Sequence, residues 1–451
     1  MADIRPFRSW RYNPGKISDI NLKFSPLFDV VTPEQLAFLY SIENNSIHLS
    51  VPKSMMDAVN KLREWKSKEI IVQDTVPNVF VYYQDFSVYG KSEKFTRKGF
   101  VCMVRMNGRH DKRANDIVLH EDTIASSVND RIALLENTML NVSPTHGLYN
   151  DPGFQLEPLM DRCMENPEYE YMDYQGVINK LAIVSNEKDI RIFVSAMRGR
   201  KIYLADGHHR LAGSQAVQDK FRKNPAGLPA DSMVNYHSMY LTNLCSDDLQ
   251  ILPIHRVLTP GEMMPTIEDF LLKFSGFFVI HEATLHREPL YAELARKKGC
   301  IGMIFDGRQF VLEMKNDADR ILSNPLPIPD QVKLLDYTVV HYFIFDRIFG
   351  LRYETQSSVS GIRYEKDYYS AVKAADRGKP EVSFVVNGIG MKEMLSVCES
   401  GALMPRKSTY FYPKVLCGLV FASIDDKENN SPLDAGFRLP EEEAASRGTR
   451  V

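Results

Sequence analysis

The residues best suited to chemistry follow one another in the stretch YLADGHHRLAG. The segment Lys201–Ala205 predicts a β-strand, and Leu211–Phe221 predicts a helix shortly after it. Asp206 and Gly207 occupy the turn, where glycine can adopt backbone angles that other residues avoid. The first turn of such a helix presents unpaired N–H groups with partial positive charge. This turn is therefore a natural seat for a phosphate or a carboxylate.

Three polar side chains follow the glycine and supply reactive groups. Arg210 offers a planar fork of donors that can bind an anion through two parallel hydrogen bonds. His208 and His209 can donate, accept or shuttle protons near neutral pH. The alternative is that Asp206 caps the helix and the histidines are packed or solvated. Because the three side chains bunch at one strand-to-helix turn, we favour a functional site.

Two further polar clusters each end an apolar strand. His120 and Glu121 follow the run IVL, and His255 and Arg256 follow the run ILPI. Sites in α/β proteins gather at strand ends, so we expect these side chains to share the cleft of the glycine turn. Arg131, on the helix predicted next, is a further candidate anion ligand. Ion pairs, a helix start and solvated surface positions are the alternatives.

Cationic and hydroxyl side chains gather again in the stretch KSTYFYPK. Lys407, Ser408, Thr409 and Lys414 resemble parts of a phosphate cradle, although no glycine-rich P-loop precedes them. The alternative is a structural loop whose lysines pair with carboxylates. The aromatic run Tyr410–Tyr412 is suited to stack an adenine or, more simply, to pack in the core.

Length and composition describe an ordinary globular protein. The 451 residues suggest two or three domains, and the net charge of −3 gives no reason to expect binding to nucleic acid or to an anionic membrane. The six cysteines form no CxxC pair, so neither a zinc cluster nor a disulfide framework is indicated. No signal peptide or membrane span is legible, and we expect the protein in the cytoplasm. The sequence leaves its oligomeric state open.

The stretch ADGHHR is similar to the most distinctive motif of the domain-of-unknown-function 1015 family of uncharacterised bacterial proteins. Further stretches resemble that family in the same order, from about residue 3 to 423: IRPF, RYNP, SPLFDVV, HEDT, SPTHGLY, ILPIHR, Leu335-Asp336 through Phe349-Gly350, and MPRKSTYFYPK. The last stretch is specific enough to exclude chance. We therefore identify the chain as a member of that family.

The chain departs from the family pattern at three places. Phe28 stands where the family usually has a tyrosine, so a hydroxyl is missing. Asp122 replaces the usual arginine of a His-Glu-Arg-Thr stretch, which weakens the case for an anion site there. Thr145 and His146 replace a usual apolar pair.

More distantly, the strand–Gly-His-His-Arg–helix unit is similar to the phosphate-binding element of the ParB and sulfiredoxin superfamily, which includes nucleotide-dependent kinases acting on free serine. The resemblance implies a phosphotransferase that uses ATP or ADP with magnesium and acts on a small hydroxylated metabolite such as serine. Gly207–Arg210 would hold phosphates, and Glu121 or Asp206 would accept the hydroxyl proton. Lys407 and Arg256 would neutralise the transferred charge.

Two rival hypotheses remain. The first is a metal-dependent hydrolase that uses Asp206 together with His120, His208, His209 and His255. Histidine spacing within one loop does not establish a metal site, and we assign no metal ligand. The second is a non-catalytic regulator that binds a nucleotide or DNA. Near-neutral charge and the lack of a legible helix-turn-helix argue against the DNA version.

We expect a mixed α/β fold in two domains. An N-terminal α/β domain, residues 1–258, would carry the ADGHHR loop within a ParB/sulfiredoxin-like element. A C-terminal α/β domain, residues 259–424, would contribute MPRKSTYFYPK to the same cleft. Residues 425–451 lack apolar periodicity and are expected to form a disordered tail.

Four local patterns predict elements outside the site. Arg191–Val194 is predicted to be a short strand, and Pro413–Ala422 a buried strand. Val332–Phe349 predicts one long amphipathic helix that ends at a C-capping glycine. The Asp-Gly pair at 306 and 307 predicts a β-hairpin, because this pair favours a two-residue turn.

Overall fold

The protein is described from a computed structural model that covers residues 2–106, 117–225, 227–260, 266–283, 289–297, 299–315, 326–359 and 361–429. The chain divides into two compact units. The first comprises Met1–Val118, Thr123–Leu249 and Pro413–Val451, and the second comprises Leu119–Asp122 and Gln250–Tyr412. Each unit combines helices with sheets, so the predicted mixed α/β class is confirmed.

A nine-stranded sheet dominates the described residues of the first unit. Its strands, numbered in chain order, are β1 (Ile4–Arg5), β2 (Val79–Ser87), β3 (Lys94–Arg105), β4 (Ile117–Val118), β5 (Thr145–Tyr149), β6 (Tyr169–Met172), β7 (Ile178–Val184), β8 (Ile202–Asp206) and β9 (Tyr236–Asn243). They pair in the order β4-β8-β5-β9-β3-β2-β7-β6, and β1 pairs with β3. Strand β8 runs parallel to β4 and antiparallel to β5. The sheet therefore fixes where the Asp206 turn begins.

Alternate residues of the central strands face two separate cores. On β2, Phe80 and Tyr82 pack in one core, and Val79 and Val81 pack in the other. A strand that is buried on both faces is expected to be apolar throughout rather than alternating. This explains why VFVYY is a continuous apolar run.

Helices of the first unit pack around this sheet. They are Pro33–Ser41, Ile47–Ser50, Met55–Ser67, Ala125–Thr138, Glu157–Cys163, Glu187–Met197, His208–Arg222 and Asp426–Asn429, with short 3-10 turns at Ile20–Leu22 and Met233–Asn235. The strand predicted at Arg191–Val194 is wrong, because these residues lie inside the helix Glu187–Met197. Ile190, Phe193 and Met197 are buried on one helical face, and this 3-and-4 spacing outweighs the local β propensity.

The described part of the second unit contains a six-stranded sheet. Its strands are β10 (His255–Leu258), β11 (Phe278–Glu282), β12 (Cys300–Phe305), β13 (Arg308–Met314), β14 (Ile362–Glu365) and β15 (Val382–Val385), which pair in the order β11-β13-β12-β15-β10-β14. The predicted hairpin is confirmed by the antiparallel pairing of β12 and β13. Asp306 and Gly307 both have positive φ, 47° and 74°, as a type I′ turn requires.

Shorter helical segments complete the second unit. They are Ile267–Ser275, Leu290–Arg296, Asp330–Lys333, Asp336–Val339, Val340–Ile348, Tyr353–Ser358, Tyr368–Ala374 and Met391–Ser400. The single helix predicted over Val332–Phe349 is wrong in detail. One short helix ends at Lys333 and a second covers Asp336–Val339. The chain then continues as a π-helix over Val340–Ile348. Such π segments are rare and often occur at functional sites.

The segment predicted as a strand at Pro413–Ala422 is buried but mostly irregular. Its backbone makes isolated bridges from Cys417 to Ser25 and from Phe421 to Trp10, and only Ala422–Ser423 forms a strand, against Leu140–Asn141. The segment belongs to the main core of the first unit. Its apolar character therefore reports burial rather than strand structure.

The predicted tail begins in ordered structure. Asp426–Asn429 forms a short helix, and Glu428 accepts a hydrogen bond from Trp10 Nε1 at 2.8 Å. Asp426 Oδ1 accepts from the backbone N–H of Met233 at 2.7 Å. The expected disorder therefore does not apply to residues 425–429, and the remaining tail lies outside the described residues.

The compact units also differ from the expected domain boundary. His120 and Glu121 group with the second unit, since the carbonyl oxygen of His120 accepts from Met404 N at 2.8 Å. Residues from Pro413 onward group with the first unit. Chain segments far apart in sequence thus build each unit, which linear composition does not reveal.

Candidate functional site

The turn after β8 requires a glycine. Gly207 has φ 97° and ψ 28°, in the left-handed region, and the helix His208–Arg222 starts at the next residue. A Cβ at this position would lie 2.5 Å from Thr145 Cγ2, closer than carbon atoms tolerate. The helix begins three residues earlier than predicted, so His208, His209 and Arg210 form its first turn.

Asp206 joins two of the predicted anion-binding cations. Its Oδ2 accepts a hydrogen bond from Arg210 Nη2 at 2.8 Å, and its Oδ1 accepts from Lys414 Nζ. The side chains of Arg210 and Lys414 are each 9% exposed. Three residues predicted separately, from two distant stretches, thus form one buried ion-pair network.

Arg97 adds a third cation that the sequence did not single out. It is 1% exposed, and its Nη2 donates to Gln84 Oε1 and to the carbonyl oxygen of Pro413. Its Nε and Nη1 have no hydrogen-bond partner among the described residues. Burial lowers the pKa of Arg97, while Asp206 is among the groups that act in the opposite direction. A buried guanidinium with unpaired donors therefore lies in the electrostatic field of the Asp206 turn.

His146 lies among the same cations. Its pKa is held well below the ordinary value, first by burial and then by Arg97, Lys414 and Arg210. Its ring stacks on Tyr240 with the ring centroids 5.3 Å apart. The signal that could have marked it was already visible, since His146 departs from an apolar family position.

The remaining predicted residues of the first unit surround the turn. His209 Nε2 accepts a hydrogen bond from Ile124 N at 2.9 Å, so the proton of the neutral ring lies on Nδ1. His208 is buried, at 8% exposure. Arg131 Nη1 donates to the carbonyl oxygen of Ser50 at 2.9 Å. Arg131 and Arg210 line one small cavity.

In the second unit, the structure brings together His120, Glu121, Lys407 and Thr409. His120 Nε2 and Thr409 Oγ1 are 3.0 Å apart, and Glu121 Oε1 accepts from Lys407 N at 3.0 Å. Lys407 has φ 57°, an uncommon value for a residue with a side chain. Ser408 is fully buried and donates to the carbonyl oxygen of Pro405 at 2.5 Å. These contacts hold a tightly built loop.

Arg256 binds the backbone of that loop. Its side chain is fully buried, and its Nη2 donates to the carbonyl oxygens of Arg406 and Lys407 at 3.2 and 3.1 Å. Its Nε donates to His341 Nε2 at 3.2 Å, and its Nη1 donates to the carbonyl oxygen of Ile254. Every nitrogen of the guanidinium is therefore bound by the protein itself.

His255, next to Arg256, is also a core residue. It is 2% exposed, and burial, followed by the charge of Arg256, lowers its pKa to about 4. Its Nδ1 accepts from Val386 N at 3.4 Å. The predicted single cleft that joins the two groups of site residues stays a prediction.

Within the described ranges, no group of three or more His, Cys, Asp or Glu side chains is arranged to hold a metal ion. None of the helices in those ranges is both long and apolar enough to span a membrane.

The fold and the turn define a mixed α/β protein with a buried, cation-rich strand-to-helix turn. The chain belongs to the family described as "Protein of unknown function (DUF1015)", whose model matches residues 4–338, and this confirms the family resemblance. No curated protein matches the chain.

Several solved structures are distantly similar. A conserved hypothetical protein from Pyrococcus furiosus is 11% identical, with a TM-score of 0.34 over 69% of this chain and 93% of that chain. A free serine kinase in complex with AMP is 11% identical, with a TM-score of 0.36 over 69% of this chain and 90% of that chain. SbnI with a C-terminal truncation from Staphylococcus aureus is 10% identical, with a TM-score of 0.35 over 77% of this chain and 93% of that chain. Likeness at this level carries no argument about function.

Proposed function

We propose that this protein is a nucleotide-dependent phosphotransferase that acts on a small hydroxylated metabolite. The observation that carries the proposal is the buried guanidinium of Arg97, whose Nε and Nη1 have no partner among the described residues. Its Nη2 donates to the carbonyl oxygen of Pro413, and the next residue, Lys414, pairs with Asp206. A buried cation with unpaired donors is costly to the fold. A phosphate would supply both the missing acceptors and the compensating charge.

The backbone of the turn suits the same ligand. The helix that follows Gly207 runs for 15 residues, to Arg222. Its first N–H groups and its dipole favour an anion at this end. Arg97 would add charge-assisted hydrogen bonds through its unpaired donors, and Arg210 and Lys414 would add positive charge.

The chemistry assigned to this chain is positioning and proton transfer. A bound ATP or ADP, with magnesium, would supply the phosphoryl group. Asp206 is the base we assign to the metabolite hydroxyl, because its carboxylate is held in place by two ion pairs. Glu121, whose Oε1 accepts from Lys407 N, is the alternative base. Arg256 is reassigned to positioning, because its nitrogens are all engaged by the protein.

The test is calorimetric titration of the full chain with ATP, ADP and CTP, each with and without Mg²⁺. Replacing Arg97 with methionine should weaken nucleotide binding at least ten-fold, since hydrogen bonds to charged groups contribute roughly 1.5–3 kcal/mol each. Should Arg97→Met fail to fold, Lys414→Met tests the same cluster. Arg162→Met is the control, because Arg162 pairs with Asp189 at the surface.

The transfer itself is tested with labelled ATP and a panel of small hydroxylated metabolites that includes serine. Appearance of a phosphorylated metabolite supports the proposal. Absence of nucleotide binding, or equal binding by Arg97→Met and the parent, would overturn it. Tight binding with no transfer to any metabolite would favour the non-catalytic regulator instead.

Two variants of the turn sharpen the result. Arg210→Ala should also lose at least ten-fold in affinity, and Arg210→Lys should recover only part, since an ammonium lacks the planar fork. Gly207→Ala is a test of folding rather than of binding, because its methyl group would collide with Thr145.

A further inference from the structure

A second cluster of buried donors surrounds a cavity whose lining does not include Arg97. A small cavity of about 40 Å³ is lined by side chains of the helices Ala125–Thr138 and His208–Arg222. Its polar lining residues are Ser50, Arg131, Asn141, Ser143, Arg210 and Ser214. The lining thus includes two guanidinium groups and no carboxylate.

Two buried donors of this lining have no acceptor among the described residues. They are Arg210 Nε and Asn141 Nδ2. Arg210 is 9% exposed and Asn141 is 7% exposed. The other nitrogens of Arg210 are occupied, Nη2 by Asp206 and Nη1 by Ser143 Oγ and the carbonyl oxygen of Pro144. A ligand of this cavity therefore has to supply hydrogen-bond acceptors.

The second guanidinium makes an anion preferable to a neutral acceptor. Arg131 lies over the ring of Phe28, 4.4 Å from its centroid, and Asp130 Oδ2 accepts from its Nε at 3.0 Å and also from its Nη2. Asp130 does not line the cavity, and its side chain is 47% exposed, so solvent screens its charge. Asp206 pairs with Arg210 and Asp130 with Arg131, but neither carboxylate lines the cavity, so the charged groups of its lining are both cationic.

The volume limits what can bind. One water molecule needs about 10–15 Å³ of such space, so a cavity of about 40 Å³ admits a group of few atoms and is too small for a nucleoside. We propose that this cavity binds a small oxyanion, either a carboxylate or a phosphate. The inference shares Arg210 with the proposed function but rests on other donors, Arg210 Nε and Asn141 Nδ2, so the two are tested separately.

The decisive variant places the anion in the protein itself. Asn141→Asp is nearly isosteric and puts a carboxylate into the lining of the cavity that Arg210 shares, so it should exclude an external anion. Asn137→Asp is the matched control. Asn137 lies on the neighbouring helix with an exposed side chain that donates to Ala133 O at 2.7 Å. The control adds the same charge and leaves the cavity unchanged.

The measurement is calorimetric titration of the full chain with inorganic phosphate and, separately, with acetate, at low ionic strength. The parent and Asn137→Asp should each bind one equivalent of at least one anion, and Asn141→Asp should bind it at least ten-fold more weakly. Saturation by phosphate alone identifies a phosphate site, and saturation by acetate alone identifies a carboxylate site.

Two outcomes would overturn the inference. One is the absence of saturable binding of either anion by the parent. The other is equal affinity in the parent and in Asn141→Asp. If Asn141→Asp does not fold, Arg131→Gln replaces it, with the same ten-fold loss expected. Loss of nucleotide binding with retained binding of phosphate or acetate would refute only the proposed function.

Discussion

Two buried arginines, Arg210 in the first unit and Arg256 in the second, differ in the groups that accept hydrogen bonds from their guanidinium. Arg210 pairs with the carboxylate of Asp206 and keeps one nitrogen, Nε, without a partner among the described residues. Among the described residues, no carboxylate accepts a hydrogen bond from Arg256, and all its nitrogens donate to carbonyl oxygens or to His341. Sequence alone ranks the two residues together as candidate phosphate ligands.

The two arginines differ in how many donors remain available for a ligand. A guanidinium whose donors are all used inside the protein stabilises the loop it contacts and has little left for a ligand. One with an unpaired donor beside a cavity has a reason to bind something. The rings of Tyr337 and Tyr364 lie 4.4 and 5.3 Å from the guanidinium carbon of Arg256 and complete its surroundings. We therefore expect variants of Arg256 to change stability first.

The largest expected effect is that of Arg256→Met. The change leaves His341 and the carbonyl oxygens of Ile254, Arg406 and Lys407 without their donor inside the core. We expect the free energy of unfolding to fall by about 3–5 kcal/mol. Urea unfolding measures the change, and Arg363→Met, at an exposed ion pair with Glu381, is the control. A loss below about 1 kcal/mol would remove the structural role assigned to Arg256.

A smaller effect with a distinct signature is expected of Asp206→Asn. The change removes the carboxylate that accepts from Arg210 and Lys414, while Arg97 stays close by. We expect a loss of about 2–3 kcal/mol in a chloride buffer. Added phosphate should restore part of the melting temperature, since a bound anion stabilises the folded state. Phosphate should not raise the melting temperature of Arg256→Met. An equal rise for both variants would contradict the proposed difference between the two arginines.

The smallest expected effect is a dependence of the free energy of unfolding on pH. It comes from one buried histidine near each of the two arginines, His237 near Arg210 and His341 near Arg256. Burial, followed by the charge of Arg210, lowers the pKa of His237 to about 3. Burial, followed by the charge of Arg256, lowers the pKa of His341 to about 3. Below about pH 6.5 these two histidines bind protons in the unfolded chain but stay neutral in the folded protein. The stability that these neutral rings contribute is therefore present above that pH and is lost as the pH falls toward 3.

Each of these histidines should contribute a slope of up to about 1.4 kcal/mol per pH unit in that window. Urea unfolding at pH 7 and pH 5 measures the slope, and His237→Gln and His341→Gln should each reduce it. A variant whose slope equals that of the parent would show that its histidine binds as many protons in the folded protein as in the unfolded chain, against the lowered pKa.

Local sequence patterns determined the elements whose signals are complete within a few residues. The strand ending at Asp206, the glycine turn and the helix after it were predicted within a few residues, because turn chemistry and periodicity are local. The Asp-Gly hairpin was predicted for the same reason. The strand assigned to Arg191–Val194 was wrong because a four-residue window is shorter than the helical repeat that governs it.

The tertiary structure decided which polar groups meet. The ion pair between Asp206 and Lys414 joins residues 208 positions apart, and no local pattern encodes that contact. Arg97 was missed because a charged residue on a strand gives no sign that it faces inward. Arg256 was chosen for its charge, yet its role follows from carbonyl oxygens that only the fold brings within reach. The sequence thus determined which groups could do chemistry, and the packing of distant segments decided which of their donors remain unpaired.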